Sequence, residues 1–470
     1  MLAMTSLELA RLQFAITTIF HFFIVPVSIG ITLMVAVFQT LHYRTKNPVY
    51  ERATIFWGKL MLIGFAVGVV TGIVQEFQFG MNWSNYSRYV GDIFGAPLAM
   101  EALLSFFLES TFIGVWLFGR GKISPKLHLM SIWLLALGTM LSAYFILAAN
   151  SWMQHPVGYT INEATGRAEL TSIFSVLTNS TTLLAFPHTI LAAWATAGTL
   201  VLAVCAYHLL KKRDVEFFTA SARVALPFVL VGSIATMIVG HFDAQLMTRQ
   251  QPMKMAAAEA LKEDETGCVG MSIFATGPLE RYPQELNTNI KVPCVLGLMA
   301  HNSFDTTVRG ADSLAREYAA KFGGQPSDYV PWMGVTYWMF RAMMGAGILI
   351  ALLGMIALFK LRKDRLTESP RLLKLLIAAA ALPFIANSAG WIFAEMGRQP
   401  WVVFGLLKTS ESNSPTVSST MILTTLIGYT VIYSILGAVG FKLWVKEAKH
   451  GPEDEILPAP ADKPDLVLTY

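Results

Sequence analysis

Charged residues and cysteines are scarce in this sequence. Only 14% of the 470 residues are Asp, Glu, Lys or Arg, while 54% are hydrophobic; a soluble domain carries about 25% charged residues. This composition predicts an integral membrane protein. The three cysteines argue against an iron–sulfur cluster or a cysteine-based zinc site, and no basic, aromatic-interleaved patch supports nucleic-acid binding.

Long apolar runs are abundant. Runs of about 20 residues, the length that a helix needs to cross a bilayer, lie near 14–40, 57–77, 94–118, 129–150, 184–207, 218–240, 336–360, 373–395 and 420–443. They predict an all-α integral membrane protein with nine transmembrane helices. The expected organisation is helices one to six in residues 1–240, a long loop in 241–335, helices seven to nine in 336–445 and a Pro-rich, disordered tail in 446–470.

The basic residues of the loops predict the orientation of the chain. The loops near 41–56, 119–128, 208–217 and 361–372 each carry at least three Lys or Arg, whereas the alternate short loops carry one or two. Because basic loops stay in the cytoplasm, we expect the N-terminus outside and the C-terminus inside. The long loop between helices six and seven then lies on the outer side.

Four residues that can bind iron are predicted at one membrane depth. His21, His188 and Met343 lie early in helices that run inward, and Glu395 ends a helix that runs outward. All four are therefore expected near the outer face. His and Met are axial ligands of haem iron, and an intramembrane carboxylate is costly and usually functional. The alternative for each residue alone is ordinary packing, so the common depth is what favours a haem site.

The third helix carries two carboxylates, Glu101 and Glu109, in an otherwise apolar stretch. Eight residues of α-helix separate them by about 12 Å along the axis and by about 80° around it. This arrangement favours a proton relay. The alternative is two carboxyl groups that local hydrogen bonds keep neutral.

The outer loop carries two further pairs of interest. Lys254 and Glu259 lie on the helix-forming stretch MKMAAAEALK. They are predicted to form a site for a quinol head group, in which the lysine donates to a quinol oxygen and the glutamate accepts its proton. The alternative is a solvated helix.

Cys268 and Cys294 lie on the oxidising side and are predicted to form a disulfide. The alternative is two unrelated small residues. Cys205, in the fifth helix, is expected to remain a buried thiol.

The chain resembles subunit I of the cytochrome bd-type quinol oxidases, in the subclass with a short quinol-binding loop. The resemblance covers nearly all of 5–445 and rests on RLQFAITTIFHF, QEFQFGMNW, FFLEST, NSWMQHPVG, QQPMKMAAAEA, FRAMMG and GWIFAEMGRQPW, in that order. It implies a terminal oxidase of the bacterial cytoplasmic membrane. Such an enzyme oxidises menaquinol or ubiquinol at the outer face and reduces O2 to water with cytoplasmic protons, without pumping. It implies subunit II as a partner and allows a small single-span subunit.

The resemblance also implies a role for each candidate ligand. His188 and Met343 would ligate the low-spin haem b558. His21 and Glu395 would be the axial ligands of the two high-spin haems, d and b595. We assign His21 to haem d, a chlorin, and Glu395 to haem b595, although these positions are exchanged in some family members.

The other matched residues would support the haems or the substrate. Trp391 would pack between haems, and Arg341 and Arg398 would pair with haem propionates, as guanidinium groups can. The proton-path residues and the quinol-site pair would be Glu101, Glu109, Lys254 and Glu259.

Two other functions explain part of the pattern. A secondary transporter would use Glu101 and Glu109 but would leave the outer-face cluster unexplained. A haem-b quinone-reactive subunit without oxygen chemistry would need two axial ligands per haem, whereas His21 and Glu395 have no evident second ligand.

Overall fold

The computed structural model describes residues 4–277 and 288–453. Within these residues nine helices are long and apolar enough to cross a membrane, which confirms the predicted number. Spans one to nine are Ser6–Thr45, Pro48–Met81, Ser84–Phe118, Pro125–Gln154, Ser180–Leu210, Val215–Gln250, Pro326–Arg362, Pro370–Gly397 and Ser419–His450. Each predicted run lies inside one span. The spans are longer than the runs because the helices continue through the polar residues that flank the apolar stretches.

Polar caps determine where several spans begin. Span one begins with a capping box in which Glu8 N donates to Thr5 Oγ1 (3.2 Å) and Thr5 N donates to Glu8 Oε2 (2.8 Å). Such a box satisfies backbone donors that have no partner within the helix. Side-chain caps also precede spans two, four, five and nine, at Asn47, Ser124, Asn179 and Ser418.

The last span ends later than the sequence predicts. The expected tail begins at residue 446, but the helix continues to His450. Its end is held by His208, whose Nε2 donates to the Ala448 carbonyl oxygen (2.8 Å). Residues 454–470 of the predicted tail lie outside the described residues.

Three spans depart from a continuous α-helix. Span three is α-helical over Ser84–Met100, π-helical over Glu101–Phe106 and α-helical again over Phe107–Phe118. Span seven opens with a 3₁₀ turn, Pro326–Tyr329, before its α-helix, Met333–Arg362. Span eight consists of Pro370–Ala378, a 3₁₀ turn over Ala379–Ala381, and Leu382–Gly397. Departures of this kind in a helix are frequent at functional sites.

Spans one and five form the centre of the bundle. Span one packs against spans two, four, five, eight and nine, and span five packs against spans one, four, six and eight. The most apolar window is 61% buried in span one and 78% buried in span five, but only 17% buried in spans two, three and nine. Spans two, three and nine therefore present apolar side chains outward, to lipid or to another subunit.

Small residues allow spans five and six to approach closely. A Cβ atom added to Gly232 of span six would lie 2.6 Å from Ala195 N, and one added to Gly198 of span five would lie 2.8 Å from Val229 N. Packing of membrane helices through small residues gains van der Waals contact that larger side chains would prevent.

Short helices and strands form the described connections outside the spans. The helices are Ile173–Leu177, Pro252–Ala258, Val295–His301, Ala311–Phe322 and Thr409–Ser412. Among the described residues the strands pair as four antiparallel two-stranded sheets, which the sequence analysis does not predict. The pairs are β1 (Tyr159–Asn162) with β2 (Arg167–Leu170), β3 (Glu265–Gly267) with β6 (Thr306–Val308), β4 (Met271–Thr276) with β5 (Thr288–Val292), and β7 (Trp401–Val403) with β8 (Leu407–Lys408).

The long loop between spans six and seven, called the outer loop after its predicted orientation, packs on the ends of the spans. Its buried apolar residues, among them Leu261 and Met271, share one hydrophobic cluster with Ala244 of span six, Phe340 of span seven and Phe393 of span eight. The loop is therefore anchored over the part of the bundle where the predicted ligands lie.

We predict that Gly232→Val destabilises the bundle by about 1–3 kcal/mol, because the added atoms overpack the contact between spans five and six. The measurement is the midpoint of thermal unfolding of the purified protein in detergent. Gly428→Val in span nine is the matched control, since a Cβ there meets nothing within 4 Å. Equal midpoints for the two variants would contradict the prediction.

Candidate active site

A cavity of about 1960 Å³ lies among spans one to eight. Pockets for one drug-sized ligand have volumes of about 300–1,000 Å³, so this cavity has room for more than one large cofactor. The predicted site residues that line it are His21, Glu101, Glu109, His188, Lys254, Met343, Trp391, Glu395 and Arg398. Arg341 and Glu259 are not among its lining residues.

The hydrogen bonds around His21 leave one ring nitrogen available to a metal. Thr71 Oγ1 donates to the carbonyl oxygens of Val67 (3.1 Å) and Gly68 (3.0 Å), so it accepts from His21 Nδ1, 2.8 Å away. The proton is thereby placed on Nδ1, and Nε2 keeps its lone pair. An outer partner that orients the ring in this way is typical of a metal-binding histidine.

His188 and Met343 have similar surroundings. The ring of His188 is buried, and the backbone of Thr236 in span six is close enough to hydrogen-bond with it. The His188 ring lies against Gly240, where an added Cβ would be 3.2 Å from Cε1. The thioether of Met343 lies against Gly390, where an added Cβ would be 2.8 Å from Sδ. Each side chain thus occupies space that a glycine on a neighbouring span leaves open, which fits a built ligand site.

Glu395 is held from both sides. Asn150 Nδ2 donates to its Oε1 (3.1 Å), and Arg398 donates from one terminal nitrogen to its Oε2. The Nε and Nη1 atoms of Arg398 are buried without a partner among the described residues. Buried guanidinium donors are almost always satisfied, so these two fit an acidic group such as a haem propionate. Each oxygen of Glu395 keeps a second lone pair, so the carboxylate could ligate iron while both donors stay in place.

A chain of hydrogen bonds connects the outer loop to Glu395. Lys254 Nζ donates to Gln154 Oε1 (2.8 Å), Gln154 Nε2 donates to Asn150 Oδ1 (2.9 Å), and Asn150 continues to Glu395. Burial, reinforced by the charge of Arg398, lowers the pKa of Lys254 to about 7. Lys254 can therefore exchange a proton near neutral pH.

Gln154 and Asp243 are site residues that the sequence analysis does not identify. The signal for Gln154 is present, because it follows Asn150 by four residues in NSWMQ and the two share a helix face. Asp243, in span six, lines the cavity close enough to His188 and Lys254 for their charges to interact. Its sequence context, GHFDAQ, has no pattern that marks it.

Glu259 and Arg341 form a separate buried contact. The short helix ends at Ala258, so Glu259 caps it and does not continue along the face that carries Lys254. Arg341 donates to Glu259 Oε2 (2.8 Å) and to the carbonyl oxygens of Ala258 and Ser272. Arg341, expected beside a propionate, thus holds the outer loop, and Lys254 and Glu259 face different partners. Burial raises the pKa of Glu259, and the adjacent Arg341 charge opposes this effect.

The cysteine pair lies beside this contact. Cys268 and Cys294 are joined by a disulfide with a Cα–Cα distance of 4.3 Å, and Cys205 is a buried free thiol. The bridge closes the base of the β4–β5 hairpin. That hairpin carries Ser272, whose backbone N donates to Glu259 Oε2 (3.1 Å).

Three carboxylates converge between spans two, three and four. Glu101 Oε1 accepts from Ser142 Oγ (2.6 Å), while Oε2 is buried without a partner among the described residues. Glu109 packs against Gly138, where an added Cβ would lie 3.0 Å from its Cγ. Glu76, which the sequence analysis does not identify although it lies in QEFQFG, also lines the cavity and interacts with the charge of Glu101.

We predict that Gly390→Ala displaces the Met343 side chain, because the new Cβ would lie 2.8 Å from Sδ. The expected result is a shifted or lost low-spin b-type band in the reduced-minus-oxidised absorption spectrum. Gly345→Ala in span seven is the control, since its Cβ would meet nothing within 4 Å. A Gly390→Ala spectrum identical to that of the control would show that Met343 does not ligate iron.

Comparison with known proteins gives consistent matches over nearly the whole chain. The family model described as cytochrome bd terminal oxidase subunit I matches residues 9–452. The chain is 46% identical over 452 residues to cytochrome bd ubiquinol oxidase subunit 1 of Bacillus subtilis (strain 168), covering 96% of this chain and 95% of that protein. It is 33% identical over 501 residues to cytochrome bd-II ubiquinol oxidase subunit 1 of Escherichia coli (strain K12), covering 95% and 97%. The structure of bd oxidase from Geobacillus thermodenitrificans aligns with a TM-score of 0.87 at 25% identity, covering 96% of this chain and 100% of that chain.

Proposed function

Because the chain belongs to the cytochrome bd terminal oxidase subunit I family, we propose that it is the haem-bearing subunit of an oxidase that oxidises quinol at the outer face and reduces O2 to water. The protein is an oxidoreductase and a multi-pass protein of the bacterial plasma membrane. The observation that carries the proposal is that His21, His188, Met343 and Glu395 line a single cavity.

The proposed haem ligands are those that the family resemblance implies, and the surroundings of His21 and Arg398 support them. His188 and Met343 would hold haem b558, and His21 and Glu395 would hold haems d and b595, with His21 at haem d. When bound, these groups supply electron transfer and the reduction of O2. Thr71 holds the proton on Nδ1 of His21 and so leaves Nε2 to the metal. The two unpartnered nitrogens of Arg398 would bind a propionate.

The aromatic wall of the cavity supports the same assignment. The ring of Trp391 lies 6.4 Å from that of Phe14 and 6.3 Å from that of Phe22, centroid to centroid. These rings would pack against a flat macrocycle and exclude water from it. Aromatic contact of this kind contributes about 0.5–1.5 kcal/mol per pair beyond the buried area.

The quinol head group would bind where the outer loop covers spans six and seven. Lys254 can donate to a quinol oxygen, and its pKa of about 7 lets it take up and release a proton near neutral pH. Glu259 would accept the other proton, and Arg341 stabilises its ionised form against burial. In this proposal the predicted segment 241–335 carries the outer quinol-binding loop, which begins after span six ends at Gln250 and stops before span seven begins at Pro326. The protons of quinol are then released outside.

Protons for water formation would enter from the cytoplasm. The N-terminus is proposed to lie outside, so span three runs inward and Glu109 lies nearer the cytoplasm than Glu101. A carboxyl group can take up a proton on one side and release it on the other. Charge is thereby separated across the membrane, and a proton motive force arises without pumping.

The partners follow from the family and from the outer surface of the bundle. Subunit II is the proposed membrane partner, quinol and O2 are the proposed substrates, and a small single-span subunit is a proposed third component. Spans two, three and nine leave apolar faces uncovered, which is compatible with contacts to other membrane helices.

The decisive experiment is an absorption spectrum of the purified complex together with quinol-driven O2 consumption. We expect b-type bands, a chlorin band in the red, and O2 uptake that depends on quinol. Spectra with b-type bands alone and no O2 uptake would favour an electron-transfer subunit without oxygen chemistry. A preparation that binds no haem would favour a transporter.

We predict that Glu259→Gln lowers the rate of quinol oxidation by roughly 10²-fold, the usual scale for removal of a general base. An artificial electron donor should still support O2 consumption, because the ligands in the cavity are unchanged. Glu263→Gln is the matched control, since Glu263 is exposed on the same loop. If quinol oxidation is as fast in Glu259→Gln as in the control, the head group binds elsewhere.

A further inference from the structure

The π-helical segment of span three buries only part of its surface. Of its six residues, Glu101 and Ser105 are buried, while Ala102, Leu103, Leu104 and Phe106 are exposed. The neighbouring span that packs on this segment is span four. Glu101 and Ser105 therefore share the face that meets span four.

The π-helix also changes where Glu109 lies relative to Glu101. In an α-helix these residues would be about 80° apart around the axis. A π-helix has more residues per turn and so rotates less at each residue, which reduces this offset. Ser105 is four residues from each carboxylate, so the three side chains follow one stripe along the span.

Residues of span four contact both ends of this stripe. Glu101 accepts from Ser142 (2.6 Å), and Glu109 lies against Gly138, one turn away on that span. Ser105 is fully buried at 0% exposure, between these two contacts. Along span three, Ser105 therefore lies between Glu101 and Glu109, the two ends of the proposed proton path.

The hydroxyl group of Ser105 has no hydrogen-bond partner among the described residues. Buried hydroxyls of the spans commonly donate to a carbonyl oxygen of their own helix. Thr139, on the facing span, does so to Ala136 O (2.9 Å). The Oε2 atom of Glu101 is likewise buried without a partner. Two unsatisfied polar atoms on one buried stripe are the usual setting of an ordered water.

We propose that Ser105 holds a water molecule between Glu109 and Glu101 and thereby positions the proton transfer between them. The inference rests on the proposed function of the two glutamates as the proton path. Direct transfer needs donor and acceptor within about 2.6–3.2 Å, whereas the Cα atoms of the two glutamates are up to about 12 Å apart along the axis. In the proposed path both side chains turn toward Ser105, and the water spans the interval that remains between their carboxyl groups. A serine hydroxyl can donate and accept at once, so it can hold the water in the line of transfer.

The transfer balances without any other reactant. The Glu109 carboxyl group gives its proton to the water, the water gives one of its own protons to the Glu101 carboxylate, and the water is restored. Glu109 is then protonated again from the cytoplasmic side. No covalent bond to carbon changes, and no electron is transferred in this step.

The test compares Ser105→Ala with Ser105→Thr in the complete oxidase reconstituted in lipid vesicles. The measurement is the rate of membrane-potential formation after O2 is added to the reduced enzyme, in H2O and in D2O. We expect Ser105→Ala to slow this rate by roughly threefold to tenfold, the effect of losing one hydrogen bond in the transfer, and to increase the solvent isotope effect. Ser105→Thr should retain most of the rate, because it keeps the hydroxyl. The absorption spectrum should remain unchanged in both.

Thr139→Val is the matched control, because its hydroxyl already donates to its own helix, and it should leave the rate unchanged. A wild-type rate and isotope effect in Ser105→Ala would overturn the inference. Equal slowing in Ser105→Ala and Ser105→Thr would also overturn it, since packing alone would then explain the loss. Glu109→Gln distinguishes a failure of the Ser105 role from a failure of the whole proton path. If it abolishes the signal while Ser105→Ala does not, only the role of Ser105 fails; if it too has no effect, the proposed proton path fails as well.

Discussion

An ionisable side chain cannot face the hydrocarbon of a bilayer without a large cost in free energy, and this constraint organises the whole molecule. Among the described residues, the histidines and carboxylates of the spans that were predicted as site residues all line one cavity. The central position of spans one and five makes this possible, since small residues at their contacts let the backbones approach. Spans two, three and nine, at the periphery of the bundle, can then remain apolar toward their surroundings.

The cavity borders two groups of polar side chains that differ in how their hydrogen bonds are satisfied. Toward the outer loop, Lys254, Gln154, Asn150 and Glu395 are connected by direct hydrogen bonds. In span three, Glu101 and Ser105 each keep a buried polar atom without a partner among the described residues. A chain of direct hydrogen bonds holds its members in place, whereas unsatisfied buried atoms call for water. The first design fits the positioning of ligands, and the second fits the movement of protons.

The outer loop is attached to the bundle through charge as well as through apolar packing. Arg341 and Glu259 form an ion pair in which the side chains are 10% and 1% exposed. A buried pair of this kind is costly to break, because removal of one partner leaves the other charge unpaired. The disulfide closes the hairpin that contacts this pair. Arg341 lies two residues before Met343 in span seven, so the proposed quinol site and a proposed haem ligand share one short stretch of helix.

The amino-acid sequence alone determined the number of spans and predicted a common depth for the candidate ligands, because hydrophobic length and loop charge act locally along the chain. The motifs and their order along the chain were sufficient to identify the family. Only the tertiary structure decided which groups meet: Arg341 pairs with Glu259, Gln154 links Lys254 to Asn150, and Glu76 and Asp243 reach the cavity from neighbouring spans. The π-helical turn at Glu101 and the strand pairs of the loops also escaped prediction. These features depend on contacts between residues far apart in the chain, and neither composition nor periodicity records such contacts.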